Sequence, residues 1–149
     1  MDIPAMLARL KSVAEAEGLP WGTRKMTFNS RLAQEMGKWA EEKGKGDEFH
    51  NAVFRAYFVN GKNIAKKEVL LELGKKMGLP VKEAEEVLES RPFKAAVDED
   101  WKLSIRRGVT AVPTFVVDHQ VVVGAQPYEV LEQFLKNNGV RKKGASRKA

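Results

Sequence analysis

Apolar residues recur at three- and four-residue spacings from Met6 to Ile105, the period of helices packed on one face, and two β-branched runs follow beyond Gly108. Met6, Leu10, Val13 and Ala14 set the first stripe. Pro4 suits its first turn, Asp2 lies close to its N-terminus and Gly18 stops it. Leu19 to Phe28, with Pro20 and Gly22, reads as an extended connection. Asn29 can cap a second helix carrying Leu32, Met36, Trp39 and Ala40 on one face, which Gly44 and Gly46 break. Asp47 is the expected cap of a third helix, with Phe49, Val53, Ala56 and Tyr57 as its stripe and Asn60-Gly61 as its end. A fourth helix runs from Lys66 to Met77 with Val69, Leu70, Leu73 and Met77 inward. A turn at Gly78-Leu79-Pro80 leads to a short fifth helix from Val81 to about Glu89. After Arg91-Pro92, the spacing of Phe93, Val97, Trp101 and Ile105 predicts a sixth. Arg106 and Arg107 suit its last turn and Gly108 the position just past it.

Only then are strands expected. Thr114–Val117 and Val121–Val123 are apolar and β-branched, joined by Asp118-His119-Gln120 and ended by Gly124. The runs are too apolar for half-exposed strands, so both faces of the hairpin should be covered. Pro127 should open a last helix with Val130, Leu131, Phe134 and Leu135 inward and Gly139 at its close. Two strands do not make a stable sheet. Within the chain only Arg24 to Phe28 could add a third, so the pattern itself points to a missing neighbour, in sequence or in a partner chain.

The chain has 149 residues, 43% of them hydrophobic, enough for a core without covalent staples. No apolar run approaches the roughly 18 residues of a membrane span. The first residues lack a basic-then-apolar leader pattern, so no membrane association and a cytoplasmic setting are expected. The net charge of +6 suggests nucleic acid until its distribution is examined. Five of the 26 lysine and arginine residues lie in the last nine positions, and without them the balance is 21 basic against 20 acidic. The basicity belongs to a tail containing Gly144, Ala145 and Ser146, read as disordered, and no specific nucleic-acid partner is expected. There is no cysteine, which excludes disulfides and thiolate metal sites.

Little else offers chemistry. His50 and His119 are the only histidines, too few for a histidine-rich metal site. No nucleophile elbow or glycine-rich phosphate loop is present, so neither metal nor cofactor is expected. Glu85-Glu86 and Asp98-Glu99-Asp100 read as solvated helix faces, and Trp39, Phe54, Tyr57, Phe58 and Trp101 as core. The one distinctive loop is Thr110-Ala111-Val112-Pro113-Thr114. A proline before a buried strand belongs at its first residue, because it cannot donate a ladder hydrogen bond. A cis Val112–Pro113 bond would turn the chain and leave the amide and carbonyl of Val112 free for an extended peptide.

These residues carry a family resemblance. In order, Asn29-Ser30, Phe54-Arg55-Ala56-Tyr57-Phe58, Gly61-Lys62-Asn63-Ile64, Val112-Pro113-Thr114-Phe115 and Gly124-Ala125-Gln126-Pro127 resemble the DsbA-like disulfide oxidoreductases, their FrnE-type branch best. The likeness runs from about Met6 to Leu135. It implies an α+β, mostly helical, partial thioredoxin-like fold with an all-helical domain and a C-terminal β-hairpin plus helix. The expected organisation is an N-terminal helix, connector and helical insertion domain over 1–107, a ββα unit over 108–139 and the basic tail over 140–149.

The resemblance implies thiol–disulfide oxidoreduction or isomerisation of protein substrates. It places Val112 and Pro113 in a loop that holds substrate backbone, with Asn29, Ser30, Gly124 and Gln126 beside the cleft; Asn29 as a simple helix cap and Gln126 as a residue that only precedes a helix are the competing readings. A full member begins with a strand-CxxC-helix-strand unit that this chain lacks, so no catalytic residue is assigned and the chain is expected to be inactive as it stands. Asp118-His119-Gln120 also departs from the glycine often found at the hairpin tip. One alternative is a fragment of a serine-dependent enzyme like the glutathione transferase kappa and hydroxychromene-carboxylate isomerase group. The other is a non-catalytic peptide-binding or dimerisation module. The expected partners are a protein or peptide at the proline loop and a second copy of the chain at the exposed sheet.

Overall fold

The computed structural model describes residues 3–23 and 26–143. Seven helices and one hairpin follow in order among them: α1 (Ile3–Ala16), α2 (Arg31–Glu42), α3 (Gly46–Phe54), α4 (Lys67–Lys76), α5 (Val81–Ser90), α6 (Lys94–Arg106), β1 (Thr114–Val117), β2 (Gln120–Val123) and α7 (Tyr128–Asn137). A π-helical turn, Arg55–Val59, continues α3. The chain divides into two compact units, 1–99 and 100–149. The fold is α+β and mostly helical.

The first unit is built on α2. Met36, Trp39 and Ala40 are buried on its inner face, against Phe49 and Ala56 from the α3 segment, Leu70 and Leu73 from α4, and Ala84, Val87 and Leu88 from α5. Small residues let the helices approach. A Cβ on Gly74 would sit 2.7 Å from Cε of Met36, so α4 meets α2 closely enough that a larger residue would displace the tip of that side chain. The connector is pinned as closely. Gly22 donates its amide to the carbonyl of Phe58 at 2.9 Å, and a Cβ there would lie 1.8 Å from the carbonyl oxygen of Val59.

This unit also buries a carboxylate that the hydrophobic stripe does not reveal. Glu35, on the buried side of α2, is 1% exposed. Arg31 Nε donates to it at 2.7 Å, and Arg91 donates through Nε at 3.0 Å and Nη2 at 2.7 Å. Arg31 also donates to the carbonyl of Lys94 at 2.9 Å and to the carboxylate of Asp98. Asp98 therefore ties α6 to α2 and is not the purely solvated residue its acidic run suggests. Arg91 ends α5 with φ +54°, a left-handed conformation costing an ordinary residue about 1–2 kcal/mol. From this position it places its guanidinium on the buried carboxylate of Glu35.

Helix starts differ from the sequence expectation in detail. Ser30, not Asn29, occupies the cap position of α2, although the Asn29 side chain accepts the Arg31 amide at 2.8 Å. Lys45 takes the cap of α3 and Asp47 lies in its first turn, where its charge favours the dipole without a capping bond. Met26, Thr27 and Phe28 form no strand, and Arg24 and Lys25 of that proposed strand lie outside the described residues, as do Asp2 and tail residues 144–149.

The larger correction concerns burial. The hairpin is antiparallel, pairing Thr114 with Val123 and Val117 with Gln120, so β2 starts one residue earlier than expected. Its faces are not covered. Phe115, Val116, Val121 and Val123 are all exposed, and no described residue from Asp100 onward is buried. The α6 stripe is divided: Val97 is buried and Phe93 half-buried, while Trp101 and Ile105 are exposed. In α7, Leu131 and Phe134 are half-buried, but Val130 and Leu135 face water. On α1, Met6, Leu10 and Val13 are exposed and Ala14 is buried. No helix of the described residues is long and apolar enough to cross a membrane.

The paired arginines hold the Glu35 carboxyl below its ordinary value of 4.5, the Arg91 hydrogen bonds contributing most. A carboxyl with a depressed folded-state pKa adds stability above its unfolded pKa and loses it as pH falls through the folded one. Glu35→Gln should therefore cost about 2 kcal/mol at pH 7. In urea titrations the gap from wild type should hold down to about pH 5 and narrow below it. A gap that stays constant to pH 3 would show that the charge of Glu35 is not the stabilising element.

Candidate functional site

The loop before β1 is the most exposed apolar feature with a defined backbone. The Val112–Pro113 peptide is cis. Val112 is 88% exposed. Among the described residues neither its amide nor its carbonyl has a hydrogen-bond partner. The loop is fixed on both sides of this gap. Thr114 donates its hydroxyl to the carbonyl of Ala111 at 2.6 Å, and the carbonyl of Pro113 accepts the amide of Gly124 at 2.8 Å. The result is a bend at the mouth of a strand in which the backbone of Val112 is left unpaired between anchored neighbours.

Gly124 and Gln126 belong to the same cluster. Gly124 ends β2 at φ +91°, which swings the chain out of the hairpin while its amide still reaches Pro113. Gln126 turns its side-chain amide back to the carbonyl of Val123 at 2.8 Å. Four of the six residues singled out from sequence, Val112, Pro113, Gly124 and Gln126, are thus neighbours in the 100–149 unit.

Asn29 and Ser30 belong to the 1–99 unit. Asn29 accepts the first helical amide of α2, and the Ser30 hydroxyl accepts a hydrogen bond from Nε2 of Gln34 at 2.8 Å. Glu35, Arg31 and Arg91 were missed by sequence reasoning. The visible signal was an acidic residue on the apolar face of a strongly amphipathic helix, four residues after an arginine.

The cluster around Pro113 can present backbone donors and acceptors but no nucleophile. The chain has no cysteine, and among the described residues no group of three histidine or acidic side chains could hold a metal ion. His119, at the hairpin turn, is exposed. Asp118 starts that turn at φ +51°, in a left-handed conformation that aspartate tolerates better than most residues.

Similarity to known proteins identifies the family. A sequence model of the DSBA-like thioredoxin domain matches residues 2–136. The uncharacterized protein YwbO of Bacillus subtilis is 30% identical over 112 residues, covering 74% of this chain and 56% of that protein. The crystal structure of a probable DsbA oxidoreductase, SCO1869 from Streptomyces coelicolor, superposes with a TM-score of 0.80 at 28% identity, covering 96% of this chain and 63% of that one. A 2-hydroxychromene-2-carboxylate isomerase superposes with a TM-score of 0.76 over 94% of this chain and 71% of its own, but at 20% identity it shares the fold alone. The chain thus spans little more than half of YwbO and under two thirds of SCO1869.

Gly124 links the two halves of the Pro113 cluster. A β-branched residue at φ +91° is strained, so Gly124→Val should cost about 1–2 kcal/mol locally and release the Pro113 carbonyl. Hydrogen exchange at the amides of Val123 and residue 124 should accelerate while helical amides of the 1–99 unit keep their protection. Unchanged exchange in the hairpin would show that this turn does not hold the loop.

Proposed function

The chain belongs to the DSBA-like thioredoxin domain family, and on that premise we propose that it carries the peptide-holding part of a FrnE-type thiol–disulfide oxidoreductase while being unable to exchange disulfides itself. The observation that carries this reading is the unpaired backbone of Val112 beside Pro113 in a chain without cysteine. An extended peptide can add to such a segment as a strand adds to a sheet edge. Its affinity comes from main-chain hydrogen bonds and its selectivity from side chains at alternate positions. Thiol exchange needs more, a thiolate that attacks a disulfide sulfur, and nothing in the sequence supplies one. Gly124 and Gln126 enter this reading as residues that hold the turn beside the Val112–Pro113 loop.

Purified protein should match the blank in an insulin-reduction assay. In amide NMR spectra, a Cys-free extended peptide should shift Val112 and Thr114 more than any helical amide. Replacement of Val112 by Pro removes the amide donor and should abolish those shifts. Turnover that survives removal of contaminating thiols would overturn the inactivity. Peptide shifts confined to the 1–99 unit would overturn the binding site.

The hairpin supports a second part of the proposal, a homodimer. Val116, Val121 and Val123 share one face, leave half or nearly half of their surface to water, and lie on a sheet of only two strands. A second copy pairing edge to edge would make a four-stranded sheet with two-fold symmetry. Sedimentation at tens of micromolar should give a dimer, and Val116→Lys should return it to monomer. A wild-type monomer throughout the concentration series would rule this association out.

A further inference from the structure

An open cavity of about 380 Å³ lies wholly within the 1–99 unit, between α2 and the α3–π segment. One wall is apolar and mostly aromatic, formed by Phe28, Val53, Phe54, Tyr57, Phe58 and Ile64. Its rings already pack edge to face: Tyr57 meets Phe58 at 4.8 Å and 86°, and Phe28 meets Tyr57 at 6.3 Å and 78°. The opposite wall is a polar strip on α2. Ser30 and Gln34 lie one turn apart and are hydrogen-bonded to each other, and His50 sits at the rim against Gly37, where a Cβ would be 2.7 Å from Nε2. The lining contains no lysine, arginine, aspartate or glutamate.

Two observations set this cavity apart from a packing defect. Phe54 is 58% exposed and Phe58 37%, so aromatic surface faces water at the cavity instead of closing it. The wall also includes a π-helical turn, closed by the Asn60 amide on the Arg55 carbonyl at 3.0 Å. Such turns are rare and recur at functional sites.

The chemistry of the lining narrows the ligand. The volume falls in the range of small-molecule sites, which combine apolar walls with a few polar groups that fix orientation. Aromatic walls favour a flat ring in offset or edge-to-face contact. The Ser30–Gln34 pair can exchange hydrogen bonds with a hydroxyl. The lining has no lysine or arginine to compensate a carboxylate, and His50, its one basic residue, already faces Glu41 at 3.6 Å, so an ionised ligand would lose hydration with little return. We propose that this cavity is a binding site for a neutral one- or two-ring aromatic compound bearing a hydroxyl group, its ring against Phe54 and Phe58 and its hydroxyl on Ser30 and Gln34. The site goes beyond the peptide-binding reading and stands whether or not a peptide binds at Val112.

Calorimetric titration of the full chain with 2-naphthol tests it, with 2-naphthoate as the anionic comparison. The expected result is saturable one-to-one binding of 2-naphthol and much weaker binding of 2-naphthoate. Phe54→Ala should weaken naphthol binding about five- to tenfold. Ser30→Ala should weaken it about three- to tenfold. Circular dichroism would verify that each variant folds, and Phe54→Leu, which keeps apolar bulk but removes the ring, serves if Phe54→Ala does not. Absence of saturable binding up to the solubility of 2-naphthol would overturn the proposal. So would naphthoate binding as tightly as naphthol, or affinities unchanged in the Phe54 and Ser30 variants. Naphthol affinity that falls as protein concentration rises would assign the cavity to a second copy of the chain, and would equally overturn it.

Discussion

A carboxylate placed where water cannot reach it must find cations and hydrogen-bond donors, because its desolvation would otherwise outweigh the packing gained around it. Glu35 imposes that requirement on the helical unit. It is buried on the same side of α2 as Met36 and Trp39. Two arginines meet the requirement, one from its own helix and one from the end of α5. Arg91 can do so only from a left-handed backbone, which also ends α5 and redirects the chain into α6. Arg31 completes the lock by reaching Lys94 and Asp98 on α6. One acid thus ties α2 to the end of α5 and, through Arg31, to α6. Hydrophobic contacts alone would hold these helices together, but they would not specify that register.

Much of this architecture is legible in the sequence, because helical periodicity and glycine or proline stops are local signals. The helices, the hairpin and the order of the motifs can all be read from spacing. Buried ion pairing cannot, since Arg91 and Glu35 are 56 residues apart and nothing in a linear pattern joins them. Cap positions shifted by a residue or two for a related reason. Asn29 bonds to the Arg31 amide from outside the helix, a geometry that the sequence does not distinguish from a true cap. Four of the six candidate site residues gather around Pro113 through hydrogen bonds that span the hairpin, and proximity in sequence to Val112-Pro113 or Gly124 made that cluster predictable.

The failure over burial has a different origin. An apolar run predicts that its residues would gain from leaving water, not that the chain contains something to cover them. Val121 and Val123 in the hairpin, Trp101 and Ile105 on α6, and Val130 and Leu135 on α7 satisfy every pattern rule for buried positions, yet each is exposed. The contrast within α6 is instructive. Val97 is 2% exposed and Ile105 73%, although both belong to one stripe on one helix. Exposed apolar area of this kind is free energy available to a strand, a helix or another chain that can cover it.

Chemistry and scaffold therefore separate in this protein. A thioredoxin-type site needs a thiolate to attack and a backbone segment to hold what is attacked, and these demands fall on different residues. The loop at Pro113 is the candidate for the second. The Pro113 carbonyl is bound to Gly124, the Ala111 carbonyl to Thr114, and between them the backbone of Val112 is left open. None of those bonds involves a side chain that could react, so the holding geometry does not depend on the redox centre. On the proposed reading such a loop would bind without turnover, whereas a thiolate without such a loop would have nothing to orient its substrate. Its selectivity would rest on the side chains beside the open backbone, chiefly the exposed Val112 and the partly buried Thr114.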